Sequence, residues 1–287
     1  MLERSFRVLV DTGTFYEGPR WHEGRWWVSD FYRRAVLAIS PEGDQETVML
    51  VDQQPSGLGW LPDGTMVVVS MKDRRLLRRT VAGVVEEVAD LGALATWHLN
   101  DMVVDQRGRA WIGNFGFDMF GGGPPAPANI IRVDPDGTAA IVAEELRFPN
   151  GSVVTPDDQT LIVGESAGSR YTAFTITDDG SLVDRRVWAE LSDPRVAPDG
   201  CCLDAEGRIW AADALGNRCI RVAEGGAIED EIQPPDGLKV FACMLGGDDG
   251  RTLLMCMAPG FHEEERASAD DACLLTVKVG VPHAGRP

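Results

Sequence analysis

The 287-residue chain has no long apolar run and no excess of basic charge. No stretch approaches the ~18 apolar residues of a membrane-spanning helix, so we expect no membrane partner. The start at Met1-Leu2-Glu3-Arg4 leads directly into an alternating strand pattern without the apolar core of a secretory signal. We therefore expect a cytoplasmic protein. The net charge of −18 and the pI near 4.6 argue against nucleic acid, since phosphate recognition needs a basic surface.

Several familiar catalytic motifs are also missing. The chain has no GxSxG, no P-loop and no dinucleotide fingerprint after a strand. The four histidines, His22, His98, His262 and His283, support no Ser/His/Asp triad. The six cysteines contain no metal-type CxxC pair and lie late in the chain inside predicted strands. Their spacing favours free, buried thiols in a reducing compartment.

A repeated polar turn followed by an apolar run is the main feature that is present. Successive turns are separated by 40, 44, 50, 49 and 43 residues. They are Glu23-Gly24, Asp63-Gly64, Arg107-Gly108, Asp157-Asp158, Glu206-Gly207 and Asp249-Gly250. A β-rich period of this length is typical of a β-propeller. The sequence therefore predicts an all-β fold, a single six-bladed β-propeller over residues 1–287 with four-stranded blades around a central channel.

Each turn joins an innermost strand, which lines the channel, to the next strand outward. Residues near the start of the innermost strands should therefore meet at one channel mouth. Counting back seven or eight residues from each turn gives these pairs: Glu17-Gly18, Ser56-Gly57, Asn100-Asp101, Asn150-Gly151, Asp199-Gly200 and Ala242-Cys243. Four of the six pairs supply an oxygen-bearing side chain long enough to reach inward. Glycine follows three of these four and allows a sharp backbone turn.

These four side chains, Glu17, Asn100, Asn150 and Asp199, have two possible explanations. Asx-Gly is ordinary turn chemistry, and either Asx-Gly pair alone would indicate a loop. Four such residues at one phase of a repeat instead indicate a hard-oxygen cation site. Two neighbouring carboxylates would also repel unless a cation or a proton lies between them.

Two further features belong to the same mouth. The second strands end in polar residues: Asp30, Ser70, Asn114, Glu165 and Asp213. We expect most of these to hydrogen-bond loop backbone. The segment 115–128 is an irregular insertion with three phenylalanines, which could be either a plain Gly/Pro connector or an apolar lid or wall.

An ordered set of short motifs resembles the senescence-marker/gluconolactonase family, also called regucalcin-like, over nearly the full length. The motifs are Tyr16-Glu17-Gly18-Pro19, His98-Leu99-Asn100-Asp101 with Asp105 and Gly108 behind it, Phe148-Pro149-Asn150-Gly151 and Ala197-Pro198-Asp199-Gly200. The resemblance implies a six-bladed propeller that holds one divalent cation on Glu17, Asn150 and Asp199, with Asn100 in or beside the ligand set. It also implies hydrolysis of lactones, typically sugar lactones, while a related branch performs other chemistry.

The chain departs from the family pattern at two places. Many sugar lactonases carry an Arg at the position of His98 and a Glu at the position of Asp118. We expect His98, Asn100 and Asp118 to bind the substrate, which these departures would make a differently or less hydroxylated lactone.

The resulting hypothesis is a metal-dependent lactonase that acts on a small lactone of the sugar-derived class. The cation would polarise the carbonyl, and Asp199 would act as general base. Calcium fits the oxygen-rich set best, with zinc, magnesium, manganese or iron(II) possible. The alternatives are a lyase or isomerase that uses the cation on the same scaffold, or a non-catalytic binding module. A monomer or weak dimer is expected.

Overall fold

A computed structural model of the protein describes residues 4–285, except for the side chain of Asp236. It contains six four-stranded antiparallel sheets, which confirms the predicted six-bladed β-propeller. The prediction of one domain over 1–287 includes residues 1–3 and 286–287, which lie outside the described residues, and it stays a prediction. Within 4–285 no helix is long and apolar enough to cross a membrane.

The strands follow one another along the chain with short connections. The first twelve are β1 (Phe6–Val10), β2 (Tyr16–His22), β3 (Arg25–Asp30), β4 (Ala35–Ile39), β5 (Gln45–Leu50), β6 (Pro55–Trp60), β7 (Met66–Ser70), β8 (Arg75–Arg79), β9 (Val85–Asp90), β10 (Leu99–Val104), β11 (Ala110–Asn114) and β12 (Ala128–Val133). The second twelve are β13 (Ala139–Leu146), β14 (Pro149–Val154), β15 (Thr160–Glu165), β16 (Arg170–Ile176), β17 (Leu182–Glu190), β18 (Pro198–Leu203), β19 (Ile209–Asp213), β20 (Arg218–Val222), β21 (Ile228–Ile232), β22 (Lys239–Gly246), β23 (Thr252–Ala258) and β24 (Cys273–Lys278). One helical turn, α1 (Glu263–Arg266), and two 3₁₀ turns, Ser166–Gly168 and Pro235–Gly237, complete the structure.

Five blades are consecutive meanders, and the sixth joins the two ends of the described chain. The sheet orders are β2-β3-β4-β5, β6-β7-β8-β9, β10-β11-β12-β13, β14-β15-β16-β17, β18-β19-β20-β21 and β22-β23-β24-β1. In the sixth blade, β1 pairs antiparallel with β24 as the outermost strand. The innermost strands β2, β6, β10, β14, β18 and β22 contact one another in a closed ring around the channel.

The six sequence-predicted turns all join an innermost strand to its neighbour. Five place a glycine at positive φ, between 67° and 82°: Gly24, Gly64, Gly108, Gly207 and Gly250. In the fourth blade Asp158 takes this conformation with φ 60°. Asp is one of the few non-glycine residues that tolerate the left-handed region, which explains why the repeat survives without glycine there.

Every innermost strand is bulged where the sequence predicted channel-facing side chains. The pairing register shifts between Glu17 and Arg20 in β2, and five similar shifts occur in the other innermost strands. A bulge re-aims side chains and ends regular pairing, and bulges are common beside active sites. The polar residues are therefore directed into the channel mouth by a backbone irregularity that all six blades share.

Buried apolar side chains fill the spaces between blades. The largest cluster lies around β22, β23 and β24 and includes Trp26, Trp210 and Met255. All six cysteines are free, as predicted, and five are buried while Cys273 is half-buried.

Candidate metal and active site

A cavity of about 350 Å³ opens at the mouth where the innermost strands begin. Its floor is formed by five polar side chains, Glu17, Asn100, Asn150, Ser166 and Asp199. The four predicted ligands come from β2, β10, β14 and β18, which belong to four different blades. The structure thus brings all four to one cavity, as the phase of the repeat predicts. Their role as ligands stays a prediction.

The two floor amides have their nitrogens engaged. Asn150 donates from Nδ2 to Ser166 Oγ at 3.2 Å, and Asn100 donates from Nδ2 to the Pro149 carbonyl at 3.4 Å. Ser166 Oγ in turn donates to the Pro198 carbonyl at 2.6 Å. Because each Nδ2 is held in this way, Oδ1 of each amide is the atom that can accept a hydrogen bond or coordinate a cation.

Burial and nearby carboxyls disfavour the charged form of both floor acids. Burial and then the nearby Asp199 and Asp101 raise the pKa of Glu17 well above its ordinary value. Burial and then Asp101 raise the pKa of Asp199 from 3.8 to about 8, partly opposed by the Gly200 N–H and the Asn150 side chain. Two acids whose ionised forms are both disfavoured need a cation or a proton between them.

This donor set fits a hard divalent cation. Carboxylate and amide oxygens are the protein ligands that calcium and magnesium prefer. No cluster of three or more His, Cys, Asp and Glu occurs in the part of the chain that the structure describes. That finding agrees with the set, since only two of its four members are acids.

Two of the glycines after the ligands allow blades to approach closely. A Cβ added to Gly151 would collide with the Asp199 carbonyl oxygen, and one added to Gly200 would collide with Ala242. Neither glycine has positive φ, whereas Gly18 does, at 54°. The sharp turn inferred from the sequence therefore applies to Gly18, and the other two are required for close approach between blades.

A buried ion pair lies deeper in the channel and was missed by the sequence analysis. Arg20 of β2 donates to Asp101 Oδ1 at 3.0 Å, and the two side chains are 5% and 6% exposed. Arg20 also donates to the Pro19 carbonyl at 2.8 Å. The pair connects the first and third blades. Both of its charges act on Glu17, where Asp101 raises the pKa and Arg20 lowers it. An Arg directly after the Glu-Gly-Pro motif was the available signal.

His98 and Asp118, the two departures from the family pattern, do not line the cavity. The His98 ring stacks on Trp97 and meets Phe115 edge-on at 6.1 Å, and burial lowers its pKa. Asp118 accepts the Gly121 N–H at 2.7 Å and so holds the turn inside the insertion. Substrate binding by either residue stays a prediction.

The wall of the cavity is aromatic. The insertion, which is 115–127 in the structure, contributes Phe115, Phe117, Met119 and Phe120. Its sequence left open a connector or an apolar wall, and the structure shows the wall. Strand β22 adds Phe241, and loops of other blades add Phe15, Phe31, Tyr32, Phe148 and Phe261. Phe15 and Phe148 stand two residues before Glu17 and Asn150, so the phase of the repeat could have found them.

A second irregular segment, 259–272, completes the rim. Its Phe261 carbonyl accepts the Tyr32 hydroxyl, and Arg266 donates to the Thr14 carbonyl at 2.8 and 2.9 Å. The ring centroids of Phe120 and Phe261 lie 6.4 Å apart, so the two irregular segments meet at the mouth.

The polar ends of the second strands bind backbone, as expected. Asp213 accepts the N–H groups of Ala197 and Gly216, both at 3.1 Å, and Glu165 accepts the Arg147 N–H at 2.7 Å. These residues fix the loops that carry the wall.

Comparison with known proteins assigns the chain to a family. The model of the SMP-30/Gluconolactonase/LRE-like region matches residues 15–258. The chain is similar to a 6-deoxy-6-sulfogluconolactonase of Pseudomonas putida, with 27% identity over 66% of this chain and 64% of that protein. It thus spans somewhat less than two thirds of that relative.

Two further relatives cover more of the chain. An L-arabinolactonase of Azospirillum brasilense is 23% identical over 97% of this chain and 89% of its own. A solved gluconolactonase of Xanthomonas campestris superposes with a TM-score of 0.76 and 25% identity, covering 98% and 91% of the two chains.

Proposed function

Because this chain belongs to the SMP-30/gluconolactonase/LRE-like family, we propose that it is a metal-dependent lactonase that opens a small lactone to its hydroxy acid. The observation that carries the proposal is the convergence of Glu17, Asn100, Asn150 and Asp199 on one cavity floor. Relatives whose names specify lactone hydrolysis support the reaction class.

The floor supplies what a divalent cation needs. Glu17 and Asp199 would give two carboxylates, and Asn150 and Asn100 would give amide oxygens whose orientation is fixed by the contacts of Nδ2. Calcium suits such a set, and magnesium, manganese, zinc and iron(II) remain to be compared. When bound, the ion would polarise the lactone carbonyl and stabilise negative charge on its oxygen.

The protein groups have separate tasks in this proposal. Asp199 accepts the proton of the attacking water, since it is a floor carboxyl on the cavity surface. Glu17 would be a ligand of the cation. Its Oε2 accepts a hydrogen bond from the Gly18 N–H at 3.0 Å, which orients the carboxylate. Asn100 orients the substrate or completes the ligand set. The aromatic wall limits water to the floor, where hydrolysis needs it.

The test is acid release in a pH-stat by chelator-stripped protein, with each divalent metal restored in turn. We expect one or more metals to restore lactone opening in the wild type and none to restore it in Asp199→Ala. Glu17→Gln should weaken calorimetric metal binding more than it changes the ranking of substrates. Asp52→Ala, an exposed change in the turn after β5, is the matched control.

Full activity in Asp199→Ala would overturn the mechanism. A metal-dependent product other than the hydroxy acid would indicate the lyase or isomerase alternative.

A further inference from the structure

The cavity above the floor offers almost no polar partner to a substrate. Nine of its nineteen lining residues are aromatic. Among the described residues that line it, none is Arg, Lys or His, and the only acids are Glu17 and Asp199. Apart from the aromatic residues and the five polar residues of the floor, the lining consists of Met119, Leu215, Ala167, Ala197 and Ala214. The chemistry of this wall is therefore set by rings and short aliphatic groups.

The few hydroxyl groups of the lining already have partners. The Tyr32 hydroxyl donates to the Phe261 carbonyl, and Ser166 Oγ donates to the Pro198 carbonyl while it receives the Asn150 amide. A substrate hydroxyl facing the wall would lose its bonds to water and find only the remaining lone pairs of the Tyr32 and Ser166 oxygens as acceptors. Buried polar groups in that situation are strongly disfavoured.

Aromatic rings can also stack on sugar faces, but sugar recognition needs side chains that bind the hydroxyls around the ring edge. The side chains that the sequence suggested for this task, His98 and Asp118, are not among the residues that line the cavity. Apolar substituents, in contrast, gain from every ring that they cover.

We propose that the substrate of this cavity is a lactone with an apolar alkyl or aryl substituent rather than a polyhydroxylated sugar lactone. This inference rests on the proposed lactonase function. The acyl carbon gains the hydroxyl of one water and loses its bond to the ring oxygen. That oxygen takes a proton, so the product is the hydroxy acid and no oxidant or co-reactant is needed.

The volume limits the size of the substituent. About 350 Å³ equals roughly a dozen waters at about 30 Å³ each. A six-membered lactone with a short alkyl chain or one aryl ring fits that space.

The first experiment compares δ-lactones of one ring size on the metal-restored enzyme. D-Glucono-δ-lactone is the hydroxylated member, and unsubstituted to 5-pentyl δ-valerolactones are the apolar series. We expect kcat/KM to rise about threefold to fourfold per added methylene until the cavity is full. The best alkyl lactone should exceed gluconolactone by about tenfold or more.

The outcomes separate the two proposals. If gluconolactone is opened faster than every alkyl lactone, the lactonase function stands and the apolar substrate is wrong. If no lactone is opened with any metal, both fail. A flat response to chain length would also overturn the inference, since the wall would then not contact the substituent.

A variant at the rim tests the wall directly. Phe120 is 46% exposed, so Phe120→Ser should fold normally. It should lower kcat/KM for the longest alkyl lactone about tenfold more than for the unsubstituted lactone. Leu50→Ser, an exposed apolar residue on β5 far from the cavity, is the matched control and should change neither. Equal losses on both lactones in Phe120→Ser would contradict the inference.

Discussion

The cost of ionising Asp199 on the cavity floor predicts that the metal-free protein becomes more stable when this residue is replaced by asparagine. The pKa of Asp199 is raised from 3.8 to about 8, first by burial and then by Asp101. A raised folded-state pKa means that the carboxyl costs stability once pH exceeds its unfolded value, and the cost grows until pH passes the folded pKa. The neutral amide of the Asp199→Asn variant would carry no such cost.

The magnitude follows from the shift. At pH 7 the difference of about three units from the unfolded pKa corresponds to at most about 4 kcal/mol. Because the carboxyl faces the cavity, where water screens it, we expect about 2 kcal/mol. For a chain of this size that corresponds to a Tm higher by about 4 °C. At pH 5 the gain should shrink to about 1 kcal/mol or less.

Calcium should reverse the order of stability. If the floor binds calcium as proposed, the wild type should gain about 2.7 kcal/mol when calcium exceeds its Kd about a hundredfold, whereas Asp199→Asn lacks one carboxylate and should gain much less. The assay is thermal unfolding with chelator or with calcium, at pH 5 and pH 7. Asp52→Asn, which is exposed in the turn after β5, should stay within about 0.5 kcal/mol of the wild type throughout. A lower Tm for metal-free Asp199→Asn at pH 7, or an equal calcium gain, would refute the reasoning.

Two further substitutions test contacts outside the floor. Asp105→Ala removes a buried carboxylate that accepts Arg109 Nε at 2.6 Å, and the stranded guanidinium should lower the free energy of unfolding by about 3–5 kcal/mol in urea titrations. A loss below about 1 kcal/mol would show that the pair contributes nothing.

Asp118→Ala removes the acceptor of the Gly121 N–H. It should raise KM and leave kcat within about twofold, whereas Asp136→Ala in an exposed turn should change neither. A fall in kcat of about tenfold would show that Asp118 acts on the substrate directly.

The fold was predictable because a propeller repeats its tight turns. Each innermost hairpin needs a residue at positive φ, and glycine or Asp marks that position six times. The pairing of the closing strand β1 was not predictable, because its partner β24 lies at the opposite end of the chain and no tight turn joins the two strands. Long-range pairing of this kind leaves no local sequence signal.

The floor of the site was predictable for the same periodic reason, since Glu17, Asn100, Asn150 and Asp199 share one phase and one bulge. The wall was only partly predictable. Phe15 and Phe148 share a phase, but Phe120 and Phe261 lie in irregular segments whose meeting depends on the tertiary fold. Arg20 was missed because a lone charged residue in a strand usually faces solvent, and only its pairing with Asp101 explains its burial.

Floor and wall are therefore constrained to different degrees. The predicted ligands on the floor lie on bulged strands where a side chain at Gly151 would collide with the backbone of Asp199, so their positions are tied to the packing of the blades. Part of the wall comes from 115–127 and 259–272, which are held by separate local bonds such as Asp118 to Gly121 and Tyr32 to Phe261. Under the proposed function, changes in these segments would alter which substrate enters without disturbing the predicted donor set. His98 contacts Phe115 of the wall and Asp118 holds the turn of the insertion, so under the proposed function we expect these departures to alter the substrate and not the reaction.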